Sequence, residues 1–217
     1  IIENDFDRPQ RAQETKRLVV MAMAIYFAIN KDPEDYQSLL RLALSSKDKE
    51  KAKGTLMAIR NSFDYLGTEY VQSVFSILKN RSDVDLYREA LTGLLKLSES
   101  TFNEAKNDLQ ETFREGIASK NEDIAFYALT YMDFLAQRLK YDRTNHVDQI
   151  TLILSQKEND MITWKAIQIT EKITGRMLTN EMPDDKNKES KWKKENIALI
   201  CTEAIDLLSK LKSKQTQ

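Results

Sequence analysis

The sequence predicts an all-α chain of stacked antiparallel helix pairs, and three observations lead there. Prolines number three and glycines five in 217 residues, so the residues that interrupt regular structure are scarce. Apolar residues recur at helical spacing, as in Val71, Val74, Phe75 and Leu78, and again in Leu86, Ala90, Leu91, Leu94 and Leu95. A short polar break over 80–83 separates those two stripes, and similar paired stripes return every 35 to 39 residues. Neither Asn-Gly nor Asp-Gly joins alternating apolar runs, so sheet hairpins have no signal.

Each element follows from this pattern. A first helix is expected over about 10–30. It contains the run LVVMAMAIYFAI at 18–29, which is too short to cross a bilayer and reads as a buried helical segment. Four pairs follow. The first joins 34–46 to 49–66 and closes at Gly67. The second joins 69–80 to 84–98, the third 103–119 to 122–140, and the fourth 145–157 to 160–178. The corresponding repeats are 34–67, 69–98, 103–140 and 145–178. The stretch 179–190 lacks apolar periodicity and is expected to be an exposed, mobile connection. A last helix over 190–213 caps the stack, so 1–217 is expected to form one repeat domain.

The register comes from four glutamines, Gln37, Gln72, Gln110 and Gln149, spaced by 35, 38 and 39 residues. Three places after each stands a large apolar residue: Leu40, Phe75, Phe113 and Leu152. Eleven places after stand Asp48, Asp83, Asn121 and Asp160, where a side-chain oxygen can accept from the unpaired amides that open the second helix. In three copies a base follows five residues later, at Lys53, Arg88 and Lys165. Neither helix of a pair can bury its stripe alone, whereas stacked pairs can.

The period, the paired helices, the turn Asp and the base behind it resemble the HEAT-repeat family over about 34–178. The resemblance implies a right-handed superhelix. It also implies that Asp48, Asp83 and Asp160 with Lys53, Arg88 and Lys165 link neighbouring repeats as an ionic ladder. The third copy departs, with Asn121 and Phe126, and the proline usual in the first helix is missing from every copy.

Charge and motifs narrow the functional classes. The formal net charge of -1 gives no global reason to expect nucleic acid or an anionic membrane. Spacings such as His-Glu-x-x-His and Cys-x-x-Cys are absent, as are Walker loops and Gly-x-Ser-x-Gly, so no metal, cofactor or catalytic residue is expected. The single cysteine, Cys201, lies in an apolar helix and reads as a small buried side chain. It points to a reducing, cytoplasmic setting. The single histidine, His146, reads as a surface residue near a helix start.

The expected function is a non-catalytic scaffold that binds a protein or peptide on the concave face formed by the second helices. Arg60, Arg88, Asp133, Arg138 and Lys172 are the candidate contacts, a mixed set that suits a protein better than a polyanion. Trp192, between lysines in KWKKE, offers an aromatic contact. Two alternatives stay open. One is a HEAT-like nucleic-acid binder, with glycosylase-like base chemistry as one form of it, in which Tyr127, Tyr131, Asp133 and Trp164 would share a face. The other is a structural segment of a larger protein or assembly, consistent with Ile1 in place of an initiator methionine.

Overall fold

Three of the polar residues that interrupt the apolar stripes, Asp48, Asp83 and Asn121, are helix caps. In a computed structural model, residues 44, 48–62, 68–80, 83–95, 97–156, 160–183 and 185–215 are described. They form α1 (Lys49–Ser62), α2 (Thr68–Asn80), α3 (Val84–Leu94), α4 (Glu99–Glu104), α5 (Lys106–Ile117), α6 (Glu122–Leu139), α7 (Val147–Gln156), α8 (Asp160–Thr174) and α9 (Lys186–Gln215). A 3₁₀ turn over Arg143–His146 precedes α7, and there is no strand among the described residues. The expected first helix, with the run at 18–29, and nearly all of 34–46 lie outside the described residues. Among the described residues no helix is long and apolar enough to cross a membrane.

Asp48 accepts from the Glu50 amide at 3.1 Å, Asp83 from Leu86 at 2.9 Å, and Asn121 from Asp123 and Ile124 at 3.1 and 3.3 Å. Each satisfies donors that a helix start leaves without intrahelical partners. In these three copies the Asp or Asn is therefore a cap first. At the far end of α8, Gly175 takes a left-handed conformation (φ 70°), and its amide closes on the Glu171 carbonyl at 2.8 Å.

The chain divides into two compact units, Ile1–Thr112 and Phe113–Gln217. In the first, α3 packs against both α1 and α2. In the second, α8 packs against α6, α7 and α9, and α9 also lies along α7. Second helices thus touch each other within each unit, α1 with α3 and α6 with α8, while α2 and α7 pair with the helix that follows them.

Burial corrects the register of the fourth pair. Buried residues of α2 and α5 sit one place before and two and three places after Gln72 and Gln110: Val71, Val74 and Phe75, then Leu109, Thr112 and Phe113. In α7 the buried residues are Val147, Ile150 and Leu154, while Leu152 is 52% exposed. The counterpart of the glutamines is therefore Asp148, one place before Gln149, and the last two spacings both become 38. With this shift, the positions 15, 18 and 19 places on are buried in all four second helices. They are Ala52, Thr55 and Leu56; Tyr87, Ala90 and Leu91; Ala125, Ala128 and Leu129; Thr163, Ala166 and Ile167. A small residue at the middle position lets neighbouring helices approach, and the branched residue after it fills the space between them.

Two further boundaries differ from expectation. The first helix of the third pair is broken at Ala105 into α4 and α5, because Ala105 closes on the Thr101 carbonyl at 3.1 Å and ends the turn begun at the Ser98 cap. The last helix begins at Lys186 rather than 190. Asp185 starts it, its carbonyl accepting from Glu189 at 2.7 Å and its carboxylate from Lys188 at 3.4 Å. The connection before it is tied at its start: the Glu171 carboxylate accepts from the amides of Leu178 and Thr179 at 2.7 and 2.9 Å and from the Thr179 hydroxyl at 2.8 Å.

Candidate functional site

The same helical offsets carry different chemistry in the two units. In the first unit, Lys53 of α1 meets Asp85 of α3 at 3.4 Å, and Arg88 lies 3.7 Å from Asp85 and 3.6 Å from Glu89. Charges of both signs satisfy one another across that face. In the second unit the corrected register puts Phe126 and Trp164 where Lys53 and Arg88 stand, and Met161 where Asp85 stands. Met161 is 48% exposed, and Phe126 and Trp164 are half-buried. These side chains, with Thr130, Lys165 and Gln168, line an open groove of about 540 Å³ between α6 and α8 that Lys193 of α9 closes on one side.

Aromatic and ionic contacts set that side wall. Trp192 packs on Trp164 with ring centres 6.4 Å apart, and the Lys193 ammonium lies 5.1 Å from the Trp164 ring centre. The ring face is electron-rich and attracts the cation. Lys193 also pairs with Glu189 one turn earlier on α9. Trp192 therefore anchors the start of the last helix. On α6, Tyr127 meets Phe126 and Tyr131 meets Phe134 edge-on, in both cases with centres 5.9 Å apart. These rings sit at the surface margin, not in the core where aromatics at helical spacing ordinarily lie.

Behind the groove, one buried carboxylate gathers three cations. Asp133 is 1% exposed. Its Oδ1 accepts from Arg143 at 2.9 and 3.0 Å, and its Oδ2 from Lys165 at 3.0 Å and Lys172 at 2.6 Å. Burial is the largest influence on its pKa and pushes it up. The bonds from Lys172, Lys165 and Arg143 outweigh it and hold the carboxyl below its ordinary 3.8. Lys165 belongs to both groups of side chains, since it also lines the groove.

Arg143 reaches Asp133 because the turn that carries it is pinned. The Tyr141 hydroxyl and His146 Nε2 are 2.7 Å apart, their rings stack at 5.7 Å, and Phe113 packs edge-on against both. Asp142 caps the turn through the amide and hydroxyl of Thr144 at 2.9 and 2.7 Å. His146 is fully buried, contrary to the surface position expected from Thr144 and Asn145 beside it. Burial lowers its pKa to about 4, opposed by the nearby Asp142 charge, and raises that of Tyr141.

The contacts expected from the sequence are thus distributed unevenly. Asp133 and Lys172 come together, but Asp133 is an interior hub rather than a surface contact. Trp192 does not line the groove and supports it only by packing on Trp164. Arg138 is exposed on α6, and Arg88 belongs to the ion network of the first unit. Arg60 lies in α1, and its side chain falls outside the described residues. Lys165 pairs with Asp133 of α6, and the corrected register moves it out of the ladder that the resemblance implies. Arg143, Phe126, Met161, Gln168 and Lys193 were missed. Phe126 and Trp164 share an offset once the fourth pair is shifted by one residue, and that was the signal available.

No protein-family model matches the chain, and no curated protein sequence matches it.

Proposed function

We propose that this chain is a non-catalytic protein-interaction scaffold, a HEAT-like right-handed solenoid that receives a protein or peptide on the face of its second helices. The observation that carries this reading is the change of chemistry at shared offsets. Lys53, Asp85 and Arg88 satisfy one another in the first unit, whereas Phe126, Met161 and Trp164 open a groove in the second. Apolar side chains kept at a surface, rimmed by charge, are a usual basis of protein recognition. The burial pattern shared by the four second helices, and the contacts of α1 with α3 and α6 with α8, support the stacked arrangement. A carboxylate held ionised by three cations is a poor proton acceptor near neutral pH, which speaks against an acid–base role for Asp133 itself. The buried thiol of Cys201 belongs with a cytoplasmic placement.

Affinity capture from native lysate, with and without nuclease, tests the proposal. The bait would be the wild-type chain and two variants. Met161→Glu alters the groove, and Leu199→Glu alters an exposed position on α9 outside the residues that line it. A protein retained after nuclease by wild type and by Leu199→Glu, but lost with Met161→Glu, is the expected result. Capture that depends on nucleic acid would overturn the proposal.

A further inference from the structure

We propose that the groove between α6 and α8 binds an acidic peptide segment in which carboxylates flank an apolar side chain. This rests on the scaffold reading and adds the chemistry of the partner.

Charge complementarity carries the inference. Among the described residues three cations share the one carboxylate of Asp133, so these four side chains carry two positive charges in excess. Arg143 and Lys165 are mostly withdrawn from water, with 19% and 14% of their side chains exposed. Positive charge is costly where water is scarce, and an arriving anion relieves it. Lys172, 40% exposed, is the reachable member. Lys165 spans from the cluster into the groove, so a carboxylate bound there lies beside the apolar wall of Phe126, Met161 and Trp164. A segment carrying both groups satisfies both surfaces together.

A peptide fits better than a nucleic-acid strand. A phosphate backbone needs cations repeated along its path. Here the cations converge on one point. Asp123 is exposed one turn before Phe126 on α6, and Lys193 at the opposite wall is already paired with Glu189.

Of the chain's two tryptophans, Trp164 lines this groove and Trp192 packs on Trp164, so their emission reports on it. The test titrates the full chain with three probes: a synthetic peptide of glutamates spaced around leucine and phenylalanine, the same peptide with lysines for glutamates, and a single-stranded oligonucleotide of equal charge. The acidic peptide is expected to change the emission saturably and the basic peptide to leave it unchanged. Gln168, exposed on the groove wall, sets the direction. Gln168→Glu should weaken acidic-peptide binding roughly threefold and Gln168→Lys should tighten it by a similar factor, since each changes one screened charge near the ligand. Met161→Glu should abolish it.

Binding that ignores the sign at position 168, or no response to the acidic peptide, overturns this proposal. If the capture experiment still returns a nuclease-resistant protein that depends on Met161, the scaffold reading survives and only the partner chemistry is wrong. Oligonucleotide binding tighter than that of the acidic peptide, and lost with Met161→Glu, overturns both.

Discussion

Lys172 on α8 donates to the buried carboxylate of Asp133 on α6 at 2.6 Å, joining two helices across 39 residues of chain. Lys165 and Arg143 meet the same carboxylate, so among the described residues Asp133 serves three cationic partners. The two ends of the bond should respond unequally to substitution. Asp133→Asn keeps shape but leaves three cations facing a neutral amide, and it should cost about 3 kcal/mol, as expected when a buried pair loses one member. Lys172→Met removes a half-exposed cation while two others still satisfy the carboxylate, and it should cost about 1 kcal/mol or less. Urea midpoints of the two variants decide the matter. Equal losses would mean that the carboxylate is not the hub.

His146 gives the fold a pH dependence with a defined sign. Burial holds its folded-state pKa at about 4, below its ordinary 6.5, so between those values the unfolded chain binds the proton and the folded chain does not. Stability is therefore full above pH 6.5 and falls as the pH drops towards 4, by about 3 kcal/mol across the window. Asp133 acts lower. Its depressed pKa adds stability above 3.8, which is lost as the pH falls through the folded value. The chain has one histidine, so its ring-proton resonance identifies itself. That resonance should stay unshifted down to about pH 5. His146→Gln, which keeps an acceptor for the Tyr141 hydroxyl, should flatten the stability profile between pH 6.5 and 4.5. A ring that titrates near 6.5 in the native chain would contradict the buried pairing.

Parts of this arrangement were legible in the sequence for identifiable reasons. Asp48, Asp83 and Asn121 stood out because a cap needs a short oxygen-bearing side chain at one fixed place. The glutamines were a poorer guide. Gln72 is exposed, Gln110 and Gln149 are half-buried, and packing does not hold such positions in step, so Gln149 drifted one residue from its counterparts. The buried pairs Thr55-Leu56, Ala90-Leu91, Ala128-Leu129 and Ala166-Ile167 are the better ruler, because a volume change there disturbs the contact between neighbouring helices. The groove was harder to read. Phe126 and Trp164 lie 38 residues apart, and Lys193 comes from a third helix, so only packing brings them together. Arg143 sits in a short polar turn whose sequence gives no sign that His146, three residues on, is buried.

Capping and ionic linkage at Asp83 can be separated. The carboxylate accepts from the Leu86 amide at 2.9 Å and pairs with Lys49, whose side chain is largely exposed, at 3.1 Å. Of the influences on its pKa the amide bond is the largest and lowers it. Asp83→Asn preserves the acceptor and loses only the charge, and it should cost no more than about 0.5 kcal/mol. Asp83→Ala removes the cap and should cost about 1 kcal/mol, with Asn121→Ala similar. Chemical denaturation of the three variants provides the comparison. A loss for Asp83→Asn as large as for Asp83→Ala would give priority to the ionic link that the HEAT resemblance implies.

The two ends of α9 should separate on loss of one ring. Its later turns bury Ile200, Cys201, Ala204 and Leu208, an apolar stripe at helical spacing that serves its packing on α7 and α8. Its first turns are polar. There, Trp192 on Trp164, Lys193 over the same ring, and the Glu189–Lys193 pair are the stabilising contacts. A helix start with little apolar burial opens locally at low cost, whereas a segment with a buried stripe opens only with its unit. Trp192→Ala should therefore raise amide exchange over 186–196 by about tenfold or more, since losing roughly 1.5 kcal/mol of ring contact shifts a local opening equilibrium by that factor. Protection over 200–208 should hold. Emission from the remaining Trp164 should move to longer wavelength as water reaches the ring. Exchange that rises equally along the whole helix would show that α9 opens as one cooperative segment and that the tryptophan pair does not pin its start.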